Sequence, residues 1–103
     1  VLLPHVNGTA KTSLAKVDGE QAIQQGLVTT KDVGLTAAEQ IEKERKEHGN
    51  YKSYDDFYDR NIFKGSSVNK RTLEALEVNG ALEFNRKRYY RRVVKYNSAL
   101  YAR

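Results

Sequence analysis

Two pairs of helix-ending residues, Gly49-Asn50 and Asn79-Gly80, limit the length of the helices in this chain of 103 residues. Glycine and asparagine are common just past the last turn of a helix, because both adopt the left-handed backbone at low cost. A helical pattern over Leu35–His48 leads into the first pair. A second pattern, which begins after the N-cap residue Asn69, leads into the other pair. The sequence therefore predicts a mainly α-helical fold built from short helices.

The dipeptide Asp18-Gly19 predicts a small β-hairpin near the N-terminus. It is flanked by Thr12–Val17 and Gln21–Gly26, and Asp-Gly between two such segments is a strong signal for a tight hairpin turn. A two-stranded element of this size is not stable alone, so we expect it to lean on the helices that follow. Residues 1–26 are thus predicted to form an extended entry and a β-hairpin.

Besides the two helices described above, the sequence predicts a short helix between them and a longer helix at the C-terminus. Ser53 with Asp56 resembles a capping box and starts a brief helix that ends near Arg60, after which residues 61–67 read as a loop. The C-terminal helix is marked by apolar side chains at spacings of four, three and four, namely Tyr89, Val93, Tyr96 and Leu100. Its tyrosines interleave with arginines, which fits either base stacking or a packed face. Packing is the simpler interpretation, with Tyr90 and Tyr101 left as the more exposed pair.

The positive charge of the chain is concentrated in this last helix. The net charge is +5, and residues 86–103 contain seven basic residues and no acidic one, namely Arg86, Lys87, Arg88, Arg91, Arg92, Lys95 and Arg103. The other residues carry 11 basic against 13 acidic groups, a net charge of −2. Such asymmetry favours a polyanionic partner, although a solvated basic helix face has the same composition.

The composition excludes several kinds of site. The chain has no cysteine, and His5 and His48 are too isolated in sequence for a zinc site. Asp55-Asp56 project in different directions from a helix and do not form a two-metal carboxylate cluster. We therefore expect no catalytic residue, no metal, no cofactor and no small-molecule substrate. No stretch is long and apolar enough for a membrane span, so we expect a cytoplasmic protein.

The segment from Leu27 to Ile41 fits a helix-hairpin-helix pattern, in which a tight turn of the type Gly-hydrophobic-Gly leads into a helix. Such a turn leaves the first N–H groups of the helix free to bind a phosphate oxygen, and the helix dipole adds attraction. Gly34 holds the second glycine position, Val33 is the apolar plug, and Lys31 and Thr36 flank the turn. Asp32 replaces the first glycine. An ordinary structural turn has a similar pattern.

The wider sequence resembles the helix-hairpin-helix region of bacterial DNA polymerase III alpha subunits, the family C replicative polymerases. The resemblance covers residues 2–84 in the family's order and spacing. It starts at Leu3-Pro4-His5-Val6-Asn7 and continues through Lys31-Asp32-Val33-Gly34. The remaining matches are Gly49-Asn50-Tyr51-Lys52-Ser53-Tyr54-Asp55-Asp56-Phe57, Val68-Asn69-Lys70-Arg71-Thr72-Leu73-Glu74-Ala75-Leu76 and Asn79-Gly80-Ala81-Leu82-Glu83. Residues 85–103 carry no matching motif.

This resemblance implies tandem helix-hairpin-helix-like units over 27–84, and the charge and apolar spacing of the last residues predict a basic C-terminal helix over 85–103. The resemblance also implies a non-catalytic module that holds duplex DNA beside a replicative polymerase, associated with the nucleoid. The expected contacts to DNA are Lys31, Val33, Gly34 and Thr36 at the first turn, Lys64, Lys70 and Arg71 at the second connector, and Arg88, Arg91 and Arg92 on the basic helix. The alternative is a protein-interaction module whose basic helix docks an acidic replisome partner, and binding of structured RNA is a third hypothesis.

Overall fold

The computed structural model describes residues 1–65 and 67–101, without the side chain of Tyr101. Two strands, β1 (Ser13–Val17) and β2 (Glu20–Gln24), are followed by four helices, α1 (Leu35–His48), α2 (Tyr54–Tyr58), α3 (Lys70–Val78) and α4 (Arg86–Tyr101). A 3-10 turn at Leu27–Thr29 precedes α1. The fold is mainly α-helical with a small N-terminal β-hairpin, as the sequence predicts. Within the described ranges, no helix has the length and apolar character needed to cross a bilayer.

The two strands pair antiparallel around the predicted Asp18-Gly19 turn. Both turn residues have positive φ, 52° at Asp18 and 82° at Gly19, as a two-residue hairpin turn of this hand requires. The entry segment then adds to the outer edge of β2, because the Leu2 N–H donates to the Ile23 carbonyl at 2.6 Å. The hairpin is therefore continuous with the N-terminal segment.

The first and third helices end at the residues before the predicted pairs, α1 at His48 and α3 at Val78. The Gly49 N–H donates to the Arg45 carbonyl at 2.8 Å, with φ of 90° at Gly49. The side chain of Asn69 caps α3 by accepting a hydrogen bond from the Thr72 N–H at 2.9 Å. Ser53 caps α2 in the same way, accepting from the Asp56 N–H at 3.1 Å. The caps read from the sequence are thus present at both helices.

The predicted loop over residues 61–67 is wrong in its first part. A π-helical turn at Asp59–Phe63 continues α2, so the helical segment passes Arg60. Asn61 is completely buried in this turn. Its amide donates to the Tyr51 hydroxyl at 3.0 Å and to the Phe57 carbonyl at 3.3 Å. This tertiary contact holds residues 59–63 in a helical turn, where the sequence of 61–67, which contains Gly65, suggested a loop.

The core joins the entry segment to the 3-10 turn and to α1, α2 and α3. Its largest completely buried side chains include Val6, Leu27, Ile41, Phe57 and Leu76. These residues come from the entry segment, the 3-10 turn, α1, α2 and α3, and they belong to one apolar cluster. The turn that precedes α1 is therefore held in place by the packing of the residues before and after it.

The last helix packs on the N-terminal entry segment along one face. Val93 is buried, the Tyr89 hydroxyl donates to the Leu3 carbonyl at 2.7 Å, and the Asn97 amide donates to the Val1 carbonyl at 3.1 Å. These residues lie at the four-residue spacing of one helix face. The packed face predicted for this helix is confirmed at Tyr89 and Val93. Its basic residues are consequently left on the other sides.

Candidate nucleic-acid interface

The turn before α1 has the shape of a helix-hairpin-helix connection, with its left-handed residue at Asp32. There φ is 68°, and the Val33 N–H donates to the Thr30 carbonyl at 3.1 Å. Val33 is 5% exposed and belongs to the core, as expected of the apolar plug. Gly34, in contrast, has an ordinary φ of −75°. The backbone at Gly34 therefore does not require glycine, because Asp32 makes the left-handed bend.

The first turn of α1 is left without a side-chain cap. Gly34 is its N-cap residue and offers no side-chain acceptor, and the first turn contains no acidic residue. Apart from its chain neighbours, no described residue has an atom within 4 Å of a Cβ added to Gly34. The first N–H groups of a helix lack partners within the helix. The space in front of this turn is therefore open to an oxygen ligand, and Thr36 is exposed at its edge.

An ion pair joins this turn to the start of α3. Arg71 Nη2 lies 3.2 Å from Asp32 Oδ1, and the Arg71 side chain is 80% exposed. Arg71 was expected at a second, separate contact site, but the structure places it against the first. Such an exposed ion pair contributes about 0 to 1 kcal/mol to the stability of the fold. Arg71 can therefore leave Asp32 for another anion at little cost. The positive charge of Arg71 also neutralises the carboxylate of Asp32, the residue at the first glycine position of the motif.

The other two cations of the second connector lie in different surroundings. Lys70 is exposed in the first turn of α3, next to Arg71. Lys64 lies in a depression that is also lined by Glu44, Asp56 and Arg60. The structure thus brings Arg71 to the α1 turn, and it places Lys64 beside acidic residues.

Arg60 fastens the end of α1 to α2 and is not available to a ligand. Its guanidinium donates to Glu44 at 3.0 Å, to Asp56 at 3.2 Å and to the Gly49 carbonyl at 2.7 Å. It also lies 4.2 Å from the centre of the Tyr51 ring. Burial acts to raise the pKa of Glu44, but the hydrogen bond from Arg60 and the neighbouring cations lower it overall. These contacts fix the connection between the two helical units.

The basic residues of α4 are exposed, and one of them is anchored. Arg92 donates through Nη2 to the Asn79 carbonyl at 3.0 Å and lies over Gly80, where any Cβ would overlap the guanidinium. Arg88 and Arg91 are exposed on the same helix. The ion pairs of the described residues do not include Arg88, Arg91, Arg92 or Lys31. Positive charge is therefore uncompensated locally on α4 and at the α1 turn.

The aromatic residues of α4 differ partly from expectation. Tyr90 is half-buried against Tyr89, with ring centres 5.3 Å apart, and is not the exposed tyrosine that we expected. Tyr96 is 37% exposed instead, and its hydroxyl accepts a hydrogen bond from Gln25 at 3.1 Å. The side chain of Tyr101, the other residue expected to be exposed, lies outside the described side chains. Packing thus accounts for Tyr89 and Tyr90.

One group of possible metal ligands occurs on the described part of α1. Single ligand atoms of Glu44, Glu47 and His48 lie within 4.8 Å of one another, so His48 is less isolated than its sequence position suggests. However, Glu44 already binds Arg60 with one oxygen and His48 with the other, both at 3.0 Å. The arrangement is explained by pairing within the protein, and we assign no metal to it.

Sequence comparisons agree with this geometry. A family model described as a helix-hairpin-helix motif matches residues 1–90. DNA polymerase III subunit alpha from Aquifex aeolicus (strain VF5) is 35% identical over 72 residues, which are 70% of this chain and 6% of that protein. DNA polymerase III subunit alpha from Xylella fastidiosa (strain Temecula1 / ATCC 700964) is 37% identical over 83 residues, 81% of this chain and 7% of that protein.

The chain therefore spans less than a tenth of the length of these relatives. The family match includes the entry segment, the α1 turn, α2, α3 and the start of α4, which are the elements that build the site. Taken together with the uncapped turn before α1, this match shows that the chain belongs to the helix-hairpin-helix family, with a sequence similar to one segment of DNA polymerase III alpha subunits.

Proposed function

We propose that this chain binds duplex DNA through its backbone phosphates, independently of sequence, as a non-catalytic module of a replicative polymerase similar to DNA polymerase III alpha. The observation that carries the proposal is the α1 turn. Gly34 leaves the first N–H groups of α1 uncapped, and the positive end of the helix dipole favours an anion there. Contacts of this kind fix the position of a protein on DNA without reading its bases.

The cations around the turn support the same ligand. Lys31 stands before it, and Arg71 and Lys70 lie at the start of α3, with Arg71 reaching Asp32. Arg88, Arg91 and Arg92 add exposed positive charge on α4. Val33 serves by packing, since it is buried and fixes the turn, whereas Thr36 offers a hydroxyl. Lys64, beside Glu44 and Asp56, is the weakest of the proposed contacts.

The proposed role excludes catalysis by this segment. Asp32, the acidic residue of the α1 turn, is paired with Arg71. We expect the purified chain to incorporate no nucleotides and to cleave no DNA with any divalent metal. Partners beyond DNA are then the rest of a polymerase chain or other replisome proteins, in the cytoplasm at the nucleoid. Metal-dependent incorporation or cleavage by the pure chain would contradict this assignment.

The dependence of affinity on salt and sequence tests the proposed DNA binding. Two duplexes of equal length and unrelated sequence should bind equally well, and the logarithm of the affinity should fall linearly with the logarithm of salt concentration. Strong preference for one sequence would contradict non-specific phosphate binding. Negligible duplex binding at physiological salt, with binding of an acidic replisome protein through α4, would support the docking alternative instead.

A further inference from the structure

A groove separates α4 from the 3-10 turn that precedes the α1 hairpin. Its lining includes Thr29, Thr30 and Lys31 from the turn, Arg92, Lys95 and Tyr96 from α4, and Asn79 from the end of α3. We call it the α4 groove. Lys95 was not among the contacts predicted from the sequence, because nothing in the basic run shows which of its residues lie beside the α1 turn.

The charge of the α4 groove is entirely positive. Lys31, Arg92 and Lys95 line it, and none of the described residues that line it is acidic. The depression beside Lys64 differs, because it contains Glu44 and Asp56 as well as basic residues. The depression between Asp32 and α3 likewise contains Asp32 and Glu74. Of these three depressions, the α4 groove is therefore the one whose described lining has basic residues and no acidic residue.

Hydrogen-bond donors in the α4 groove are available to a ligand. Arg92 uses Nη2 to hold the Asn79 carbonyl, which fixes its guanidinium and leaves further N–H groups. The Tyr96 hydroxyl accepts from Gln25, so its own proton remains free to donate. Lys31 and Lys95 are exposed and in no ion pair within the described part of the chain. A fixed guanidinium, a hydroxyl and two ammonium groups are donors that suit a phosphodiester.

We propose that the α4 groove binds the phosphodiester backbone of duplex DNA, on the same strand that contacts the α1 turn. Lys31 belongs to both places, since it lines the groove and immediately precedes Asp32 in the turn. A strand held at the first N–H groups of α1 therefore passes beside the groove. This inference rests on the proposed DNA binding and extends it to a second, defined row of contacts from Arg92 and Lys95.

The face of α4 selects which basic residues take part. Arg92, Lys95 and Ala99 line the groove and follow each other at spacings of three and four, and Arg88 lies four residues before Arg92 on the same face. Lys87 lies about 100° away from Arg88 around the helix axis, and it is exposed but does not line the groove. Lys95 and Lys87 carry the same charge on the same helix, so they form a matched pair for the test.

The test compares Lys95→Gln with Lys87→Gln in the 103-residue chain, with duplex affinity measured over a range of salt concentrations. Lys95→Gln should lower the log–log salt slope by about 0.9, which corresponds to about an eightfold loss of affinity at 0.1 M salt. Lys87→Gln should leave the slope unchanged. Thermal unfolding of both variants checks that neither change alters the fold.

A second pair of variants adds negative charge without removing a lysine. Ala99→Glu places a carboxylate in the α4 groove, and Ser98→Glu places one next to it in sequence but outside the groove lining. Ala99→Glu should weaken duplex binding more than Ser98→Glu. Equal effects within both pairs, with duplex binding retained, would overturn the groove and leave the proposed function standing. Absence of duplex binding by the unmodified chain would instead overturn the proposed function.

Discussion

Asp32 is the residue at which the turn departs most from the helix-hairpin-helix pattern. It takes the left-handed backbone, with φ of 68°, a conformation that glycine adopts freely and aspartate tolerates. Its carboxylate faces the region proposed for a phosphate, but Arg71 lies 3.2 Å from it. The pair is exposed and weak. Binding of a phosphate would therefore draw Arg71 away from Asp32 towards DNA.

The first prediction is that Asp32→Gly and Asp32→Asn both bind duplex DNA more tightly than the unmodified chain. Both remove the negative charge and release Arg71, and both residues accept the left-handed backbone. Affinity measured at two salt concentrations against one duplex decides the outcome, with the exposed Glu20→Gln as a control for the change in net charge. Weaker binding of both Asp32 variants at both salt concentrations would move the phosphate site away from this turn.

The second prediction concerns the missing cap at Gly34. Serine fits its backbone, with φ of −75° and ψ of 163°, and a serine side chain is a good N-cap acceptor. Gly34→Ser should therefore stabilise the fold by a few tenths of a kcal/mol, yet weaken duplex binding several-fold, because its hydroxyl takes the N–H groups and space proposed for the phosphate. Chemical denaturation and duplex titration measure the two effects. Unchanged affinity in a stabilised variant would contradict the proposal.

At the scale of elements, the N-terminal segment is fastened to the connection between α3 and α4. His5 Nε2 lies 2.7 Å from the Glu83 carbonyl and Nδ1 accepts from the Asn7 N–H at 3.0 Å, so the ring is neutral with its proton on Nε2. Phe84 and Tyr89 each contact the ring edge-on at 5.5 Å between centres. Burial lowers the pKa of His5, and this effect outweighs the opposite influence of Glu83.

The third prediction follows from this lowered pKa of His5. Its neutral form is favoured in the folded state, so its contribution to stability is present above the unfolded pKa of about 6.5 and is lost as pH falls below that value. The melting temperature should therefore decrease between pH 7.5 and pH 5.5. His5→Gln should flatten this dependence, while the exposed His48→Gln should retain it. An equal decrease in all three proteins would show that His5 is not the responsible group.

The elements could be predicted from the sequence wherever local chemistry determines them. Gly49 ends α1 at His48, and Asn69 caps α3, because capping depends on a few neighbouring residues. The π-helical turn at Asp59–Phe63 could not be predicted in this way. It depends on the hydrogen bond between Asn61 and the Tyr51 hydroxyl, and this contact exists only after α2 has packed against the segment that follows α1.

At the scale of the whole molecule, the sequence indicates where the positive charge lies along the chain but not which surface it forms. The charge of residues 86–103 is evident from composition. The approach of Lys31 to Lys95 across the α4 groove is a product of packing between distant segments. The same holds for Arg71, which is 39 residues from its partner Asp32. The basic residues could thus be named from the sequence, whereas their arrangement on one surface required the fold.

In the proposed complex, one continuous surface from the α1 turn to α4 contacts the DNA backbone. Mapping of backbone amide chemical shifts by NMR during titration with duplex DNA tests it most directly. We predict that the largest changes fall on the amides of residues 34–38, on Lys31 and on the groove-facing side of α4, and that two unrelated duplexes shift the same residues. Shift changes confined to the β1–β2 hairpin, or shift changes at different residues for the two duplexes, would contradict binding by this surface.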